Sequence, residues 1–155
     1  MLRFLFAALL FGALTIGTAH ADNPTVHDFY DGNGAVAAHQ HTNPDGTIGG
    51  WVADTASVAS TAYVGPDASI YGNALVFGNA RVLDNAQVYD NARVFDHAKV
   101  FGNARIYGNT KVFDNAQVFD NARVFDNTIV FGNAKVYDNA VICGNAIVET
   151  NGNDE

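Results

Sequence analysis

A strict six-residue pattern of apolar and polar positions runs along most of the chain. Every sixth residue from Val52 to Val148 is valine or isoleucine, which gives seventeen positions without an exception. Four residues after each of the first sixteen comes a small residue, which is alanine except at Thr110 and Thr128. The commonest unit reads aliphatic, aromatic, Asp or Gly, Asn, Ala, and then Arg, Lys or Gln. Repetition at a fixed short period predicts a repeat architecture.

The six-residue unit predicts a short strand followed by a corner. Side chains on a strand alternate between two faces, so the alanine and valine of Ala-Arg-Val-Phe share one face, and the arginine and phenylalanine share the other. Asp-Asn and Gly-Asn suit the corner, because Asn and Gly tolerate the left-handed conformation and Asp can bond to nearby backbone amides. A helix is excluded, since a period of six would spread the valines around its 3.6-residue turn.

The unit resembles that of the bacterial hexapeptide-repeat family, in which an aliphatic residue is followed four places later by a small one. The resemblance covers Val52 to Val148. It implies an all-β fold, a left-handed parallel β-helix in which three hexapeptides make one triangular coil of 18 residues, and it predicts about five coils here. The handedness comes from the resemblance alone, because left-handed connections between parallel strands are rare. The aromatic residue after the aliphatic one departs from the family pattern, where a small residue is usual.

Residues 18 apart are expected to stack on the same outward face, which predicts three columns. The columns are Tyr71, Tyr89, Tyr107 and Phe125; Phe77, Phe95, Phe113 and Phe131; and Leu83, Phe101, Phe119 and Tyr137. Three apolar stripes exceed what a soluble monomer normally exposes. The eleven rings are therefore candidate interaction-face residues. Either they only stack on one another, or at least one column is covered by a second copy or by a sugar ring.

The first residues of the chain predict export. Met1 to Ala21 has Arg3 as its only charge, a long apolar stretch and small residues at Ala19 and Ala21, which is typical of a secretory signal cleaved after Ala21. No second apolar run of that length follows, so no membrane span is expected in the mature chain. We expect the product in the periplasm, at the cell surface or outside the cell.

The sequence divides into four parts on this basis. These are a signal peptide over 1–21, a turn-rich N-terminal cap over 22–51, the β-helix over 52–148 and an acidic tail over 149–155. Trp51, at the junction of the cap and the repeat, is expected to cover the first rung. Covering is needed because a stack of coils leaves unpaired strand edges at its ends.

The net charge of the chain restricts the classes of partner that are expected. The chain has 16 acidic and 8 basic residues, and removing Arg3 with the leader leaves 7 basic residues and a net charge of −9. A net-acidic chain argues against nucleic acid as a partner. The expected partner is a second copy of the chain, and the resemblance to proteins that pack around a threefold axis implies a trimer. A glycan or cell-surface ligand is the other partner considered.

Metal binding has two candidate locations. Aligned Asp and Asn oxygens at the corners resemble the ligands of calcium, but each corner offers few carboxylates, and the asparagines can instead bond to one another along the stack. In the cap, His27, His39 and His41 with Asp28 match no strong zinc spacing. We predict no metal site and no cofactor, with calcium at the corners left open.

Candidates for catalysis are few. The resemblance implies that enzymes of this family use a histidine together with loops that interrupt the repeat, but residues 52–148 contain no such loop. The only histidine of the repeat, His97, replaces asparagine at a corner, and Cys143 lies in an outward column without an activating base. We therefore predict a secreted, non-enzymatic structural or surface-interaction module that self-associates through its aromatic ladders. The alternatives are an acyltransferase with His97 as base, and a polysaccharide-binding flat face.

Overall fold

The computed structural model describes residues 25–150, and in this range the chain forms nineteen β-strands and no helix. In chain order the strands are β1 (Val26–Asp28), β2 (Ala35–Thr42), β3 (Ile48–Ala53), β4 (Ser57–Val58), β5 (Tyr63–Val64), β6 (Ser69–Ile70), β7 (Leu75–Val76), β8 (Arg81–Val82), β9 (Gln87–Val88), β10 (Arg93–Val94), β11 (Lys99–Val100), β12 (Arg105–Ile106), β13 (Lys111–Val112), β14 (Gln117–Val118), β15 (Arg123–Val124), β16 (Ile129–Gly132), β17 (Lys135–Val136), β18 (Val141–Ile142) and β19 (Ile147–Thr150). Within the described range, accordingly, no helix could cross a membrane. The signal peptide predicted over 1–21 lies outside the described residues, as does most of the acidic tail.

The strands form three sheets that wind the chain into a β-solenoid. Sheet 1 has the order β1-β2-β3-β6-β9-β12-β15-β18, sheet 2 the order β4-β7-β10-β13-β16-β19, and sheet 3 the order β5-β8-β11-β14-β17. From β3 onward each strand pairs in parallel with the strand 18 residues later, as Val76 does with Val94, and Val94 with Val112. One coil therefore takes one strand from each sheet.

The all-β solenoid is confirmed, with about six coils instead of the five that the sequence predicted. Seventeen strands run from β3 to β19, and three strands make a coil. The lower figure came from counting residues between the first and last aliphatic positions, which leaves out the final corner. The predicted coil length of 18 residues is confirmed by the pairing of residues 18 apart.

The interior of the solenoid is filled by the aliphatic and small residues of the repeat. The aliphatic residues at every sixth position from Val64 to Val130 have no exposed surface, and the alanines of the repeat between them are buried as well. Thr110 and Thr128 are buried too, and their hydroxyls donate to the carbonyls of Tyr107 and Phe125 at 2.8 and 2.7 Å. A satisfied hydroxyl costs little in an apolar interior, which explains why threonine replaces alanine there. The inward assignment of the repeat is confirmed.

The segment before the repeat is an ordered extension of sheet 1 and not merely a turn-rich stretch. β1 pairs antiparallel with β2, and β2 pairs antiparallel with β3. Trp51 stacks on His27 with ring centroids 4.5 Å apart, on the outer side of sheet 1. The expectation that Trp51 covers the first rung is wrong, because the next residue, Val52, is the inward one and Trp51 therefore points outward.

The turn between β2 and β3 covers the first strand of sheet 3. The buried Asn43 side chain donates to the Val64 carbonyl at 3.0 Å and accepts from the Val64 N–H at 2.8 Å, so it bonds to β5 as a neighbouring strand would. His41 Nε2 donates to the Ala62 carbonyl at 3.0 Å. Gly49 permits this approach, because a Cβ there would collide with the Val64 carbonyl. A strand edge that would invite association is thus closed.

Candidate interaction surfaces

Each sheet presents one outward face with one column of large apolar side chains, as the 18-residue spacing predicted. We call these columns ladders. The tyrosine ladder on sheet 1 comprises Tyr71, Tyr89, Tyr107 and Phe125; the phenylalanine ladder on sheet 2 comprises Phe77, Phe95, Phe113 and Phe131; and the mixed ladder on sheet 3 comprises Leu83, Phe101, Phe119 and Tyr137. The eleven candidate rings thus lie on three different faces and not in one site.

Within each ladder the rings stack face on face. Neighbouring centroids lie between 4.7 Å, for Phe101 and Phe119, and 5.3 Å, for Phe119 and Tyr137, and their planes differ by 1 to 14°. Stacked aromatic pairs contribute about 0.5–1.5 kcal/mol each beyond the area that they bury. Because both flat sides of an inner ring are covered, only ring edges face outward there. A sugar that stacks flat on a ring cannot use the inner rungs.

The first ring differs between the tyrosine and phenylalanine ladders. Phe29, which follows β1, stacks on Tyr71 at 4.9 Å, so that Tyr71 is only 7% exposed. In the phenylalanine ladder Ala59 stands one coil before Phe77, which is 41% exposed. Phe29 was missed in the sequence, because it follows a reversed strand outside the repeat and no period relates it to Tyr71.

Basic side chains flank the ladders without pairing to carboxylates. Arg123 donates to the Tyr107 hydroxyl at 2.9 Å, and the Arg81 guanidinium lies 5.2 Å from the Tyr63 ring centroid. Among residues 25–150, no Lys or Arg nitrogen lies within 4.0 Å of a carboxylate oxygen, and the one contact of this kind from a histidine joins His39 Nδ1 to Asp54 Oδ1 at 2.8 Å. Arg81 and Arg123 therefore contact aromatic rings and a tyrosine hydroxyl, and the corner aspartates bond to the backbone instead.

Burial raises the pKa of two hydroxyls in the tyrosine ladder, those of Tyr71 and Tyr89. Loss of hydration raises the pKa of Tyr71 well above its usual value of about 10, with a smaller contribution from Tyr89. Loss of hydration likewise raises the pKa of Tyr89, with Tyr107 as the next cause. Both hydroxyls are therefore neutral and able to donate at physiological pH.

The left-handed residue at the corners is Asp or Gly, and not the asparagine that the sequence suggested. All seven aspartates of the uniform repeat have φ between 53 and 63°. Five of these carboxylates accept from the backbone N–H one coil later, for example Asp84 from Gly102 at 2.9 Å and Asp126 from Gly144 at 2.9 Å. This bond compensates for the left-handed conformation, which is unfavourable for a residue with a Cβ.

The asparagines form amide ladders along two of the three corners, as predicted. Asn103 donates to Asn121 and Asn121 to Asn139 at 3.1 and 3.3 Å. In the second column Asn109 donates to Asn127 and Asn127 to Asn145 at 3.1 and 3.2 Å. At the third corner exposed His97 interrupts the column. Within residues 25–150, no three His, Cys, Asp or Glu side chains converge as metal ligands do.

The remaining candidate residues lie apart from one another. His27 stacks on Trp51, His39 Nδ1 lies 2.8 Å from Asp54 Oδ1, and His41 binds the first coil, so the three cap histidines have three separate roles. Cys143 is exposed, one coil after Phe125 in the tyrosine ladder. The candidate residues thus lie on extended surfaces and do not converge on one reaction centre.

Stacked coils of parallel strands define this chain as a β-solenoid repeat protein. A family model described as "YdcK Beta solenoid repeat" matches residues 68–84, 86–99 and 116–132. Together with the coils, this match supports the predicted resemblance to a bacterial family of β-helix repeat proteins. No curated protein and no solved structure matches the chain.

Proposed function

We propose that the protein is a secreted, non-enzymatic structural or surface-interaction module that self-associates through the face of sheet 2. The observation that carries the proposal is the phenylalanine ladder, four stacked rings without a hydroxyl, whose first ring, Phe77, is 41% exposed. Secretion is supported by the leader sequence from Met1 to Ala21.

The surroundings of the phenylalanine ladder favour this face over the other two. The neighbouring outward column of sheet 2 contains Leu75, Ile129 and Ile147, and Ile147 is 69% exposed. The equivalent columns of sheets 1 and 3 are richer in polar residues. Apolar side chains therefore occupy parts of both outward columns on this face, which is not the case to the same degree on the other two sheets.

A second copy of the chain is the occupant that the charges favour. Two basic groups, Arg93 and Lys111, lie in the middle of the face, and the corner carboxylates of Asp96 and Asp114 follow them along the chain. An interface between two identical copies needs a surface that complements itself. A balanced set of charges beside an apolar strip meets that need. A partner with a strong net charge would have no complementary charge on this face.

The test introduces charge without disturbing the rings. Leu75→Lys with Ile129→Lys places lysine at outward positions beside Arg93 and Lys111. Basic residues already pair in register on the other sheets, as Arg105 does with Arg123, so we expect the fold to be retained. We expect the oligomer of the parent chain to dissociate to monomer by light scattering, with an unchanged β-type circular dichroism spectrum. The matched control is Gln117→Lys on sheet 3, which should keep the parent mass.

A second variant removes the rings themselves. Changing Phe77, Phe95, Phe113 and Phe131 to serine should lower the oligomeric mass in the same way. A parent chain that is monomeric at all concentrations, or a Leu75→Lys with Ile129→Lys variant with unchanged mass, would exclude sheet 2 as the interface.

A further inference from the structure

The loop between β1 and β2 holds Tyr30 in an unfavourable backbone conformation with its side chain exposed. Tyr30 has a φ of 57°, and its side chain is 90% exposed. Positive φ is costly for a bulky residue, and an exposed ring contributes no burial to folding. Every other non-glycine residue with positive φ in residues 25–150 is an aspartate of a stack corner. Tyr30 lies outside the stack and lacks the carboxylate that compensates there.

The loop that carries Tyr30 is nevertheless firmly held. Phe29 is buried against Tyr71, the Tyr30 N–H donates to Asp28 at 2.8 Å, and the Asn33 N–H donates to Asp31 at 2.9 Å. The exposed ring is thus presented on a fixed backbone. Fixed presentation lowers the entropy lost when a ligand binds.

Tyr30 borders a groove of about 380 Å³ between this loop and sheet 1. The groove combines Tyr30 with Asp31, Gln87, Arg105 and the hydroxyl-bearing Tyr71 and Tyr89. Ligand sites have volumes of about 300–1,000 Å³, so the size is sufficient for a small molecule or for part of a longer one. This groove is on sheet 1, away from the proposed self-association face on sheet 2.

The chemistry of the lining selects among ligand classes. Asp31 accepts hydrogen bonds, Arg105 donates them, and Gln87 can do both. An anion would be repelled by Asp31 and a cation by Arg105, and an apolar ligand would leave both charges without water. A neutral molecule with many hydroxyls satisfies donors and acceptors together, and the apolar side of its ring can lie on the free face of Tyr30.

We infer that the groove beneath Tyr30 is a binding site for a neutral oligosaccharide. A ligand longer than one sugar is favoured, because a second cavity of about 290 Å³ adjoins the first, sharing Phe29, Asp31 and Tyr71 and adding Asn33 and Thr55. Tyr30 differs from the ladder rings in having its flat sides uncovered, which is the property that the inner rungs lack.

The experiment probes the full chain on an array of neutral, acidic and basic oligosaccharides, followed by titration calorimetry with the neutral members that bind. We expect Tyr30→Gly to weaken binding at least tenfold, and Arg105→Gln to weaken it similarly. Because glycine adopts positive φ freely, Tyr30→Gly should melt at the parent temperature or above it.

The controls separate this site from other surfaces. Tyr137→Ala removes an exposed ring from the mixed ladder and should leave affinity unchanged, as should Leu75→Lys with Ile129→Lys on sheet 2. Binding of no neutral oligosaccharide would overturn the inference, as would equal affinity of Tyr30→Gly and parent. A clearly lower melting temperature for Tyr30→Gly would assign Tyr30 a structural role and also overturn it.

Discussion

The tyrosine and phenylalanine ladders are built from the same repeat and stack at the same spacing, yet they differ in accessibility. Neighbouring centroids are 4.8 Å apart both for Tyr71 and Tyr89 and for Phe77 and Phe95. The tyrosine ladder begins beneath Phe29 of the N-terminal hairpin, whereas the phenylalanine ladder begins beneath Ala59. The comparison shows that the cap, and not the repeat, decides which aromatic face is covered.

The largest effect is expected from a change that breaks both ladders at once. Val100→Asp puts a charge into the interior that all three faces share, where Val100 has no exposed surface. An unpaired buried charge costs more than about 4 kcal/mol, so we expect loss of the cooperative melting transition by circular dichroism. The neighbouring change Lys99→Asp, on the outside of the same strand, should melt near the parent. A parent-like curve for Val100→Asp would contradict the inward assignment.

The next largest effect is on the free energy of unfolding, when the first ring of each ladder is removed in turn. Phe29→Ala removes a buried ring and should lower the free energy of unfolding by about 3 kcal/mol, because buried Phe→Ala changes cost about 3–5 kcal/mol. Phe77→Ala removes a ring that is already 41% exposed and should cost roughly 1 kcal/mol. Urea unfolding measures both. Equal costs would mean that the cap does not distinguish the two ladders.

Alkaline pH should act on the tyrosine ladder and spare the phenylalanine ladder. The folded-state pKa of Tyr71 is raised by burial, so above pH of about 10 the unfolded chain releases a proton that the folded chain retains. The stabilising contribution is therefore complete below the unfolded pKa and is lost as pH rises toward the folded one. We expect the melting temperature to fall above about pH 10, and to fall less steeply in Tyr71→Phe. Identical slopes for the two proteins would argue against the burial of this hydroxyl.

The smallest effect is expected at the corners that separate the ladders. The asparagine column that follows the tyrosine ladder is uninterrupted, whereas the column that follows the phenylalanine ladder contains His97. His97→Asn would permit amide bonds to Asn79 and Asn115, and exposed bonds of this kind contribute about 0.5 kcal/mol. A small rise in the urea midpoint is expected. If the parent shows an acetyl-coenzyme A dependent activity that His97→Asn abolishes, the non-enzymatic proposal is wrong.

Most of the solenoid could be predicted from the repeat alone. The period of six sets the strands and corners, and alternation along a strand sends Val94 inward and Phe95 outward whatever the rest of the chain does. The spacing of 18 then places Phe77, Phe95 and Phe113 in one column. These features follow from the same local geometry in every repeat unit, so each unit supports the same prediction.

The corners were harder to predict, because their bonds join residues that are far apart in sequence. The sequence suggested that asparagine adopts the left-handed conformation, but the structure gives it to Asp84 and its equivalents. The deciding bond runs from the carboxylate to a backbone N–H one coil later, such as that of Gly102. Only the stacked arrangement brings the two groups together.

The sequence by itself determined the coil, the core and the three ladders, since each depends on a repeated spacing. The tertiary structure decided how the ends and faces differ, through contacts that no period predicts. Phe29 covers Tyr71 and Asn43 pairs with Val64 because antiparallel strands reverse the chain onto the first coil. Tyr30 acquires its exposed position from the same reversal. The feature most suggestive of a binding site therefore lies in the segment that precedes the repeat.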